Sequence, residues 1–271
     1  MGEIEDRVAG LLLGLAAGDR IGGPLRMALR VAESLRDLGT FNPQDIGARY
    51  LTWWREGAFD TGTTAARVLE LASSGVLIED ASLQVHTMVG GLTAGCNPAH
   101  RSAPLAMLAA IEDSQLSDAA KAEACLTHRH PLAGDAAAAA VVLCRALIRG
   151  VLWEEALHRA AAGRVAEIRR ALEERRGEDL SREGFSPNVL RAAVFFVGAS
   201  SSFSGALARA VEFAGPSNYS PVLVGSLGGA RWGRVAIHPR DLAHPPDVLA
   251  RVRAVAADLA ATWRESAPGG A

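Results

Sequence analysis

Apolar residues in this chain recur three and four positions apart and almost never alternate, which confines the fold to packed helices. From Ile4, the series Val8, Leu11, Leu12 and Leu15 lays one apolar stripe along a helix. Val68, Leu69 and Leu71 mark another, entered from a polar loop at Asp60. Leu132–Ile148 is apolar nearly all round, which places it at the centre. Val189, Ala192, Ala193 and Phe196 form a further stripe, with Ser186 expected as N-cap and Pro187 at the first helical position, where its missing N–H costs little. Val248, Val252, Val255, Leu259 and Trp263 form the last. No segment shows strand alternation between hairpin turns. The expectation is an all-α chain of about ten to thirteen helices. It has one helical domain over residues 1–265 and a disordered tail at 266–271.

With 271 residues, 49% of them apolar, the chain can bury one large core. Its net charge of −2 gives no polyelectrolyte argument for nucleic acid or an anionic membrane. The run from Arg164 to Glu183 carries both signs and reads as a solvated helix face. Cys96, Cys125 and Cys144 show no paired spacing, which points to a reducing cytoplasm. The acidic start Met1-Gly-Glu-Ile-Glu-Asp lacks the cationic opening of a signal peptide. The apolar run from Ala136 to Trp153 contains Arg145 and Arg149, so a buried helix is expected there, not a membrane span. No dinucleotide-binding glycine pattern, phosphate-loop lysine motif or Gly-x-Ser-x-Gly elbow occurs.

Polar residues gather instead in short loops between the apolar stretches. Gly22-Gly23-Pro24 allows a sharp turn. Asp60-Thr61-Gly62-Thr63-Thr64 packs one carboxylate and three hydroxyls ahead of an apolar helix, where Asp60 or Thr61 could simply be the N-cap. Asn97-Pro98-Ala99-His100-Arg101 sets an amide, an imidazole and a guanidinium at the opening of an expected helix over Ala103–Ile111. Asn and Arg there suit sugar hydroxyls and phosphate. His128 and His130 stand two apart without a third metal ligand nearby, so they read as pocket wall. Asn218-Tyr219-Ser220-Pro221 precedes an apolar helix over Val222–Trp232, in which Gly225, Gly228 and Gly229 permit close packing. Asp19 and Asp135 flank small residues and could be caps.

The order of these segments resembles the ADP-ribosylglycohydrolase family over nearly the whole chain, from Arg7 to about Trp263. Arg7 to Asp19 looks like the family's opening helix, and Asp60-Thr61-Gly62-Thr63 stands where the family has a Thr-Asp-Asp-Thr metal loop. Gly95 to Ala106 resembles its Gly-Asn-Gly…Arg-x-Ala-Pro-Leu ligand loop. Thr127-His128-Arg129-His130-Pro131 resembles its Thr-His-x-His-Pro segment, and Gly215 to Gly233 its second metal loop with the following helix. The resemblance implies an orthogonal helical bundle and a glycosidic-bond hydrolase that holds two magnesium ions with carboxylates.

The chain departs from that pattern where the carboxylates belong. Arg26 or Leu25 stands in place of a glutamate, one aspartate (Asp60) remains in the first metal loop, and Pro216-Ser217-Asn218-Tyr219 replaces the Asp-x-Asp-Thr of the second. Magnesium takes close to six oxygen ligands. No tightly bound binuclear magnesium and no other cofactor are therefore expected. Asp60 is the only surviving candidate ligand, and a single or rearranged magnesium site is the alternative. The replacements stay polar, so the expected ligand is a small ribosyl or nucleotide compound, with an ADP-ribosylated protein as the alternative partner. Asp60 and Asp19 are the candidate catalytic residues. Arg26, Thr61, Thr63, Thr64, Asn97, His100, Arg101, His128, His130, Asn218, Tyr219 and Ser220 are the candidate ligand-binding residues. The expected activity is hydrolysis of a ribosyl N- or O-glycosidic bond. A binding or sensor protein without turnover is the competing expectation.

Overall fold

The computed structural model describes residues 2–174 and 176–265. The expected tail at 266–271 lies outside these. The described residues form fourteen α-helices. In chain order they are α1 (Glu3–Gly18), α2 (Gly23–Leu38), α3 (Pro43–Arg55), α4 (Thr63–Ser73), α5 (Ile78–Met88), α6 (Asn97–Arg101) and α7 (Leu116–Cys125). There follow α8 (Pro131–Ile148), α9 (Trp153–Ala161), α10 (Ala166–Glu173), α11 (Ser186–Gly198), α12 (Phe203–Ala214), α13 (Tyr219–Trp232) and α14 (Pro246–Glu265). Among the described residues the only β-type pairing is an isolated antiparallel bridge between Gly95 and Phe185.

The helix tally exceeds the sequence expectation by one, because pieces as short as α6 carry no readable periodicity. Three local expectations also change. Residues Ala103–Met107 wind into a 3-10 turn, not a helix running to Ile111, and α6 comes before it. Ser186 is the first residue of α11, and its hydroxyl donates to the Leu132 carbonyl (3.3 Å) instead of capping. Asp135 sits inside α8 and accepts from Val165 N (2.9 Å), so it anchors the start of α10.

One connected apolar cluster runs through the described helices. The long helix α8 crosses it. By length and composition α8 could span a membrane, but 83% of it is buried inside the protein. Its Arg145 is buried too, donating to the Leu108 carbonyl (2.8 Å) and pairing with Asp113 (3.3 Å).

The closest helix pair is α1 against α13. Gly10 faces Gly229, Gly14 faces Gly225, and Gly18 faces Pro221, so the two helices run antiparallel. A methyl group on Gly14 or Gly225 would overlap a backbone carbonyl of the other helix. Bare backbone on both sides lets the axes approach far closer than leucines would allow. This seam fixes the C-terminal end of α1, which carries Asp19, beside the N-terminal end of α13, which follows Asn218.

Candidate functional site

Four helices begin at one cleft. It has a volume of about 220 Å³ and is lined by the starts of α2 (Pro24), α4 (Gly62, Thr63, Thr64), α6 (Asn97) and α13 (Asn218, Tyr219). Cys96, Gly95, His100, His128 and Gly184 complete the wall, and Asp60 is the one acidic residue in it. A helix N-terminus presents N–H groups without intrahelical partners and the positive end of the dipole. None of these four N-termini is capped by its own N-cap side chain. The expected caps Asp60 and Thr61 do not act at α4, whose N-cap is Gly62, at φ 76°. The first N–H groups of α4 therefore border the cleft, beside the Thr63 and Thr64 side chains.

Asp19 holds the first turn together and does not line the cleft. Its Oδ1 accepts from Ile21 N (3.1 Å), Gly22 N (2.7 Å) and Asn218 Nδ2 (2.7 Å), and its Oδ2 from Leu25 N (2.7 Å). Buried to 2% exposure, it both caps α2 and ties α1 to the Asn218 loop. Asn218 Oδ1 accepts from Arg20 N (3.1 Å), so both ends of that amide are engaged. Asp60 lies across the cleft mouth, exposed, with its backbone in the left-handed region at φ 51°. Gly23 packs against it so closely that a side chain there would strike the Asp60 backbone. Burial of its inner side and the charge of Asp19 raise the Asp60 carboxyl pKa from its ordinary value, with the Gly23 backbone acting the other way.

His100 and His128 form the floor, at 2% and 3% exposure. Burial lowers the His100 pKa to about 4, although Asp19 and the Tyr219 backbone favour the proton. Burial and the Arg101 charge likewise hold His128 well below its ordinary value. Both rings are neutral near pH 7. His128 Nδ1 pairs with Thr127 Oγ1 (2.7 Å), and its Nε2 edge packs where Gly95 has no side chain. His100 Nε2 has no partner.

The remaining candidates divide. Thr61 is buried outside the lining, and its carbonyl accepts from Asn97 Nδ2 (3.2 Å). Arg26 lies on the flank, donating to Gly22 O (3.1 Å) and stacking on Phe59 at 4.7 Å. His130 caps α8, its Nδ1 accepting from Leu132 N (3.2 Å). Ser220 is buried outside the lining.

Arg101 is fully buried beneath the cleft. It donates to Glu123 Oε1 (2.7 Å), the Glu123 carbonyl (3.3 Å) and Asn97 Oδ1 (2.5 Å), and Tyr50 OH also donates to Glu123 Oε1 (2.6 Å). Burial pulls the Arg101 pKa down, but Glu123 and Tyr50 outweigh it and leave it raised. The chain Tyr50–Glu123–Arg101–Asn97–Thr61 thus connects the core to the loop that carries Asp60.

Sequence reading missed Glu123, Tyr50 and Gly184. Glu123 had a signal: it falls on the apolar stripe Leu116, Ala119, Ala120, Ala124 of α7, where a carboxylate needs a buried partner. Gly184 had none. It reaches the cleft through the Gly95–Phe185 bridge and its carbonyl bond from Cys96 N (2.9 Å), and it makes room for the Tyr219 ring.

A family model described as ADP-ribosylglycohydrolase matches residues 2–268. The chain belongs to the ADP-ribosylglycohydrolase family. Among solved structures it is similar to one described as an ADP-ribosylglycohydrolase-related protein complex, at 26% identity and TM-score 0.79, covering 97% of this chain and 99% of that one. No curated protein matches. Resemblance to ADP-ribosylglycohydrolases implies magnesium, and the donors present fit it poorly. Among the described residues no three His, Cys, Asp or Glu side chains converge in a way that could hold a metal ion. The oxygens of Asp19 already accept four hydrogen bonds, and Asn218 Oδ1 accepts one. Asp60 alone falls short of the roughly six oxygens of a magnesium shell.

Proposed function

We propose that this ADP-ribosylglycohydrolase family member hydrolyses an N- or O-glycosidic bond to ribose in a small ribosyl or nucleoside-like compound, without a binuclear magnesium centre. The observation that carries this reading is the single carboxylate, Asp60, at the mouth of a cleft into which four helix N-termini open. The cleft is smaller than the roughly 300–1,000 Å³ pockets that take drug-sized ligands, which favours one sugar over a dinucleotide. The N–H groups at the start of α4 suit a phosphate or another electron-rich oxygen.

In the reaction, water adds its oxygen to the anomeric carbon, and the bond to the leaving nitrogen or oxygen breaks with its electron pair on the leaving group. Asp60 accepts the proton from water, and the leaving group takes one from solvent. Its carboxylate also faces the positive charge that grows on the sugar ring. The raised pKa of Asp60 brings it closer to the working pH of a general base.

One observation supports a second reading. Glycosidases generally use two carboxylates, and the other nearby one, Asp19, spends both oxygens on the turn. A protein that binds the ribosyl ligand without cleaving it needs only the cleft. Asp60→Asn separates the two. Hydrolysis is followed by chromatography of ADP-ribose, ribosyl amides and nucleosides, with excess chelator present. The first reading expects chelator-insensitive turnover that Asp60→Asn abolishes while calorimetric binding of the same compound survives. Binding with no turnover by the wild type leaves the second reading. Turnover that requires added magnesium refutes the metal-free mechanism.

A further inference from the structure

One hydrogen bond ties the backbone of the segment that carries Asp60 to the rest of the protein. Among the described residues, the backbone of Phe59, Asp60 and Thr61 makes no hydrogen bond except at the Thr61 carbonyl, which accepts from Asn97 Nδ2 (3.2 Å). Asp60 and Gly62, on either side of Thr61, both hold positive φ, 51° and 76°. A non-glycine residue keeps such a backbone where its surroundings hold it there. Gly23, at the start of α2, packs against the Asp60 backbone, and Asn97, at the start of α6, supplies the bond. The Asn97 amide has one workable orientation. Its Oδ1 accepts from Arg101 Nη1 (2.5 Å), so exchanging oxygen and nitrogen would aim an N–H at a guanidinium and an oxygen at the Thr61 carbonyl. Arg101 is itself fully buried and donates to Glu123 Oε1 (2.7 Å). The tether therefore runs from a buried ion pair to the carbonyl next to Asp60.

We infer that Asn97 is the positioning residue for Asp60: it acts on the reaction by fixing the segment that presents the carboxylate, not by holding the ligand. The inference rests on the hydrolytic reading above and adds what sets the geometry of its one carboxylate. A general base works within hydrogen-bond reach of the proton it takes, and a misplacement of about 1 Å can cost on the order of a hundredfold in rate. Asp60 is exposed, so without the tether its segment has room to move. Thr63 and Thr64 belong to α4, whose Ala65, Val68 and Leu69 are buried in the core, so the opposite wall of the cleft does not depend on Asn97. Loss of the Asn97 amide therefore affects turnover and spares binding.

The test combines kinetics with backbone dynamics. Turnover of ADP-ribose, nicotinamide riboside and adenosine is measured for the full-length wild type and for Asn97→Ala, with nitrogen relaxation of the backbone amides of both ligand-free proteins. Asn97→Ala is expected to lower kcat about ten- to hundredfold while KM changes less than about threefold, the split that separates positioning from ligand contact. The order parameters of Asp60, Thr61 and Gly62 should fall from the rigid value of about 0.85 to below about 0.6, with those of the later turns of α4 unmoved. If Asn97→Ala does not fold, Asn97→Asp takes its place in the relaxation measurement, because it keeps an acceptor for Arg101 and removes only the donor to Thr61. A rise in KM that accounts for the lost kcat/KM makes Asn97 a ligand contact and overturns the inference while sparing the hydrolytic reading. So does a kcat within about threefold of the wild type, or unchanged order parameters at Asp60 and Thr61. Absence of turnover by the wild type defeats the hydrolytic reading instead. The order parameters then decide the tether alone: loosening in the variant upholds it, and no loosening overturns it.

Discussion

Replacing Arg101 by methionine should destabilise the protein by about 4–6 kcal/mol. Arg101 and Glu123 are both at 0% exposure and 2.7 Å apart, and Glu123 Oε2 already lacks a partner. Removing the cation leaves a carboxylate in the core that must be desolvated unpaired or take up a proton. Breaking a buried pair from one side costs about 3–5 kcal/mol. Asn97 Oδ1 also loses its donor, adding about 1 kcal/mol. At about 2–4 °C per kcal/mol for a chain of this size, the midpoint should drop by roughly 10–20 °C. Urea unfolding followed by circular dichroism gives the free energy, and a thermal scan gives the midpoint. The double variant Arg101→Met/Glu123→Leu should recover all but about 2–3 kcal/mol, because it removes both charges and strands only Tyr50 OH and Asn97 Oδ1. A single variant that costs less than about 1 kcal/mol, or a double no more stable than the single, would show that the pair does not act as described.

Three further outcomes are expected. Gly14→Ala and Gly225→Ala should each cost about 3 kcal/mol or more, at or above the upper end for overpacking, because the new methyl meets backbone that cannot rotate away; urea midpoints check this, and a loss under about 1 kcal/mol contradicts the seam. Stability should decline on acidification. The His100 imidazole takes its proton near pH 6.5 when unfolded and near pH 4 when folded, so the unfolded state binds more protons in between. Its contribution is complete above pH 6.5 and is lost as pH falls towards 4, on the order of 3 kcal/mol, and His100→Gln should flatten that slope in a pH series of urea melts. Asp60→Asn should leave stability within about 0.5 kcal/mol, since Asn tolerates the left-handed backbone, whereas Asp60→Val should cost about 1–2 kcal/mol through strain at φ 51°; thermal midpoints separate them.

The helices were legible because their buried faces are continuous. The series Val8, Leu11, Leu12, Leu15 lies at 0% exposure in α1, and Leu132–Ile148 forms the buried α8. Short pieces were not legible, since α6 spans little more than one turn. The cleft was legible as a set of loops: Asp60, Thr63, Thr64, Asn97, His100, His128, Asn218 and Tyr219 do come together. What sequence could not separate was a side chain that faces the cleft from one that supports it. Arg101 and His100 are neighbours in one short helix, yet one is buried on Glu123 and the other lines the cavity. That difference depends on the partner Glu123, on another helix, and on which face of a single turn meets it. Asp19 likewise reads as a site carboxylate until the four donors around it are seen.

The bare seam between α1 and α13 lets recognition and scaffold vary independently. Its contacts are main chain against main chain, so they do not depend on which side chains the neighbouring loops carry. Residues around Asp60 and Asn218 can then be exchanged, charge for neutral or large for small, while the frame that presents them stays in place. A fold joined this way is suited to acquiring new ligand preferences through its rim alone.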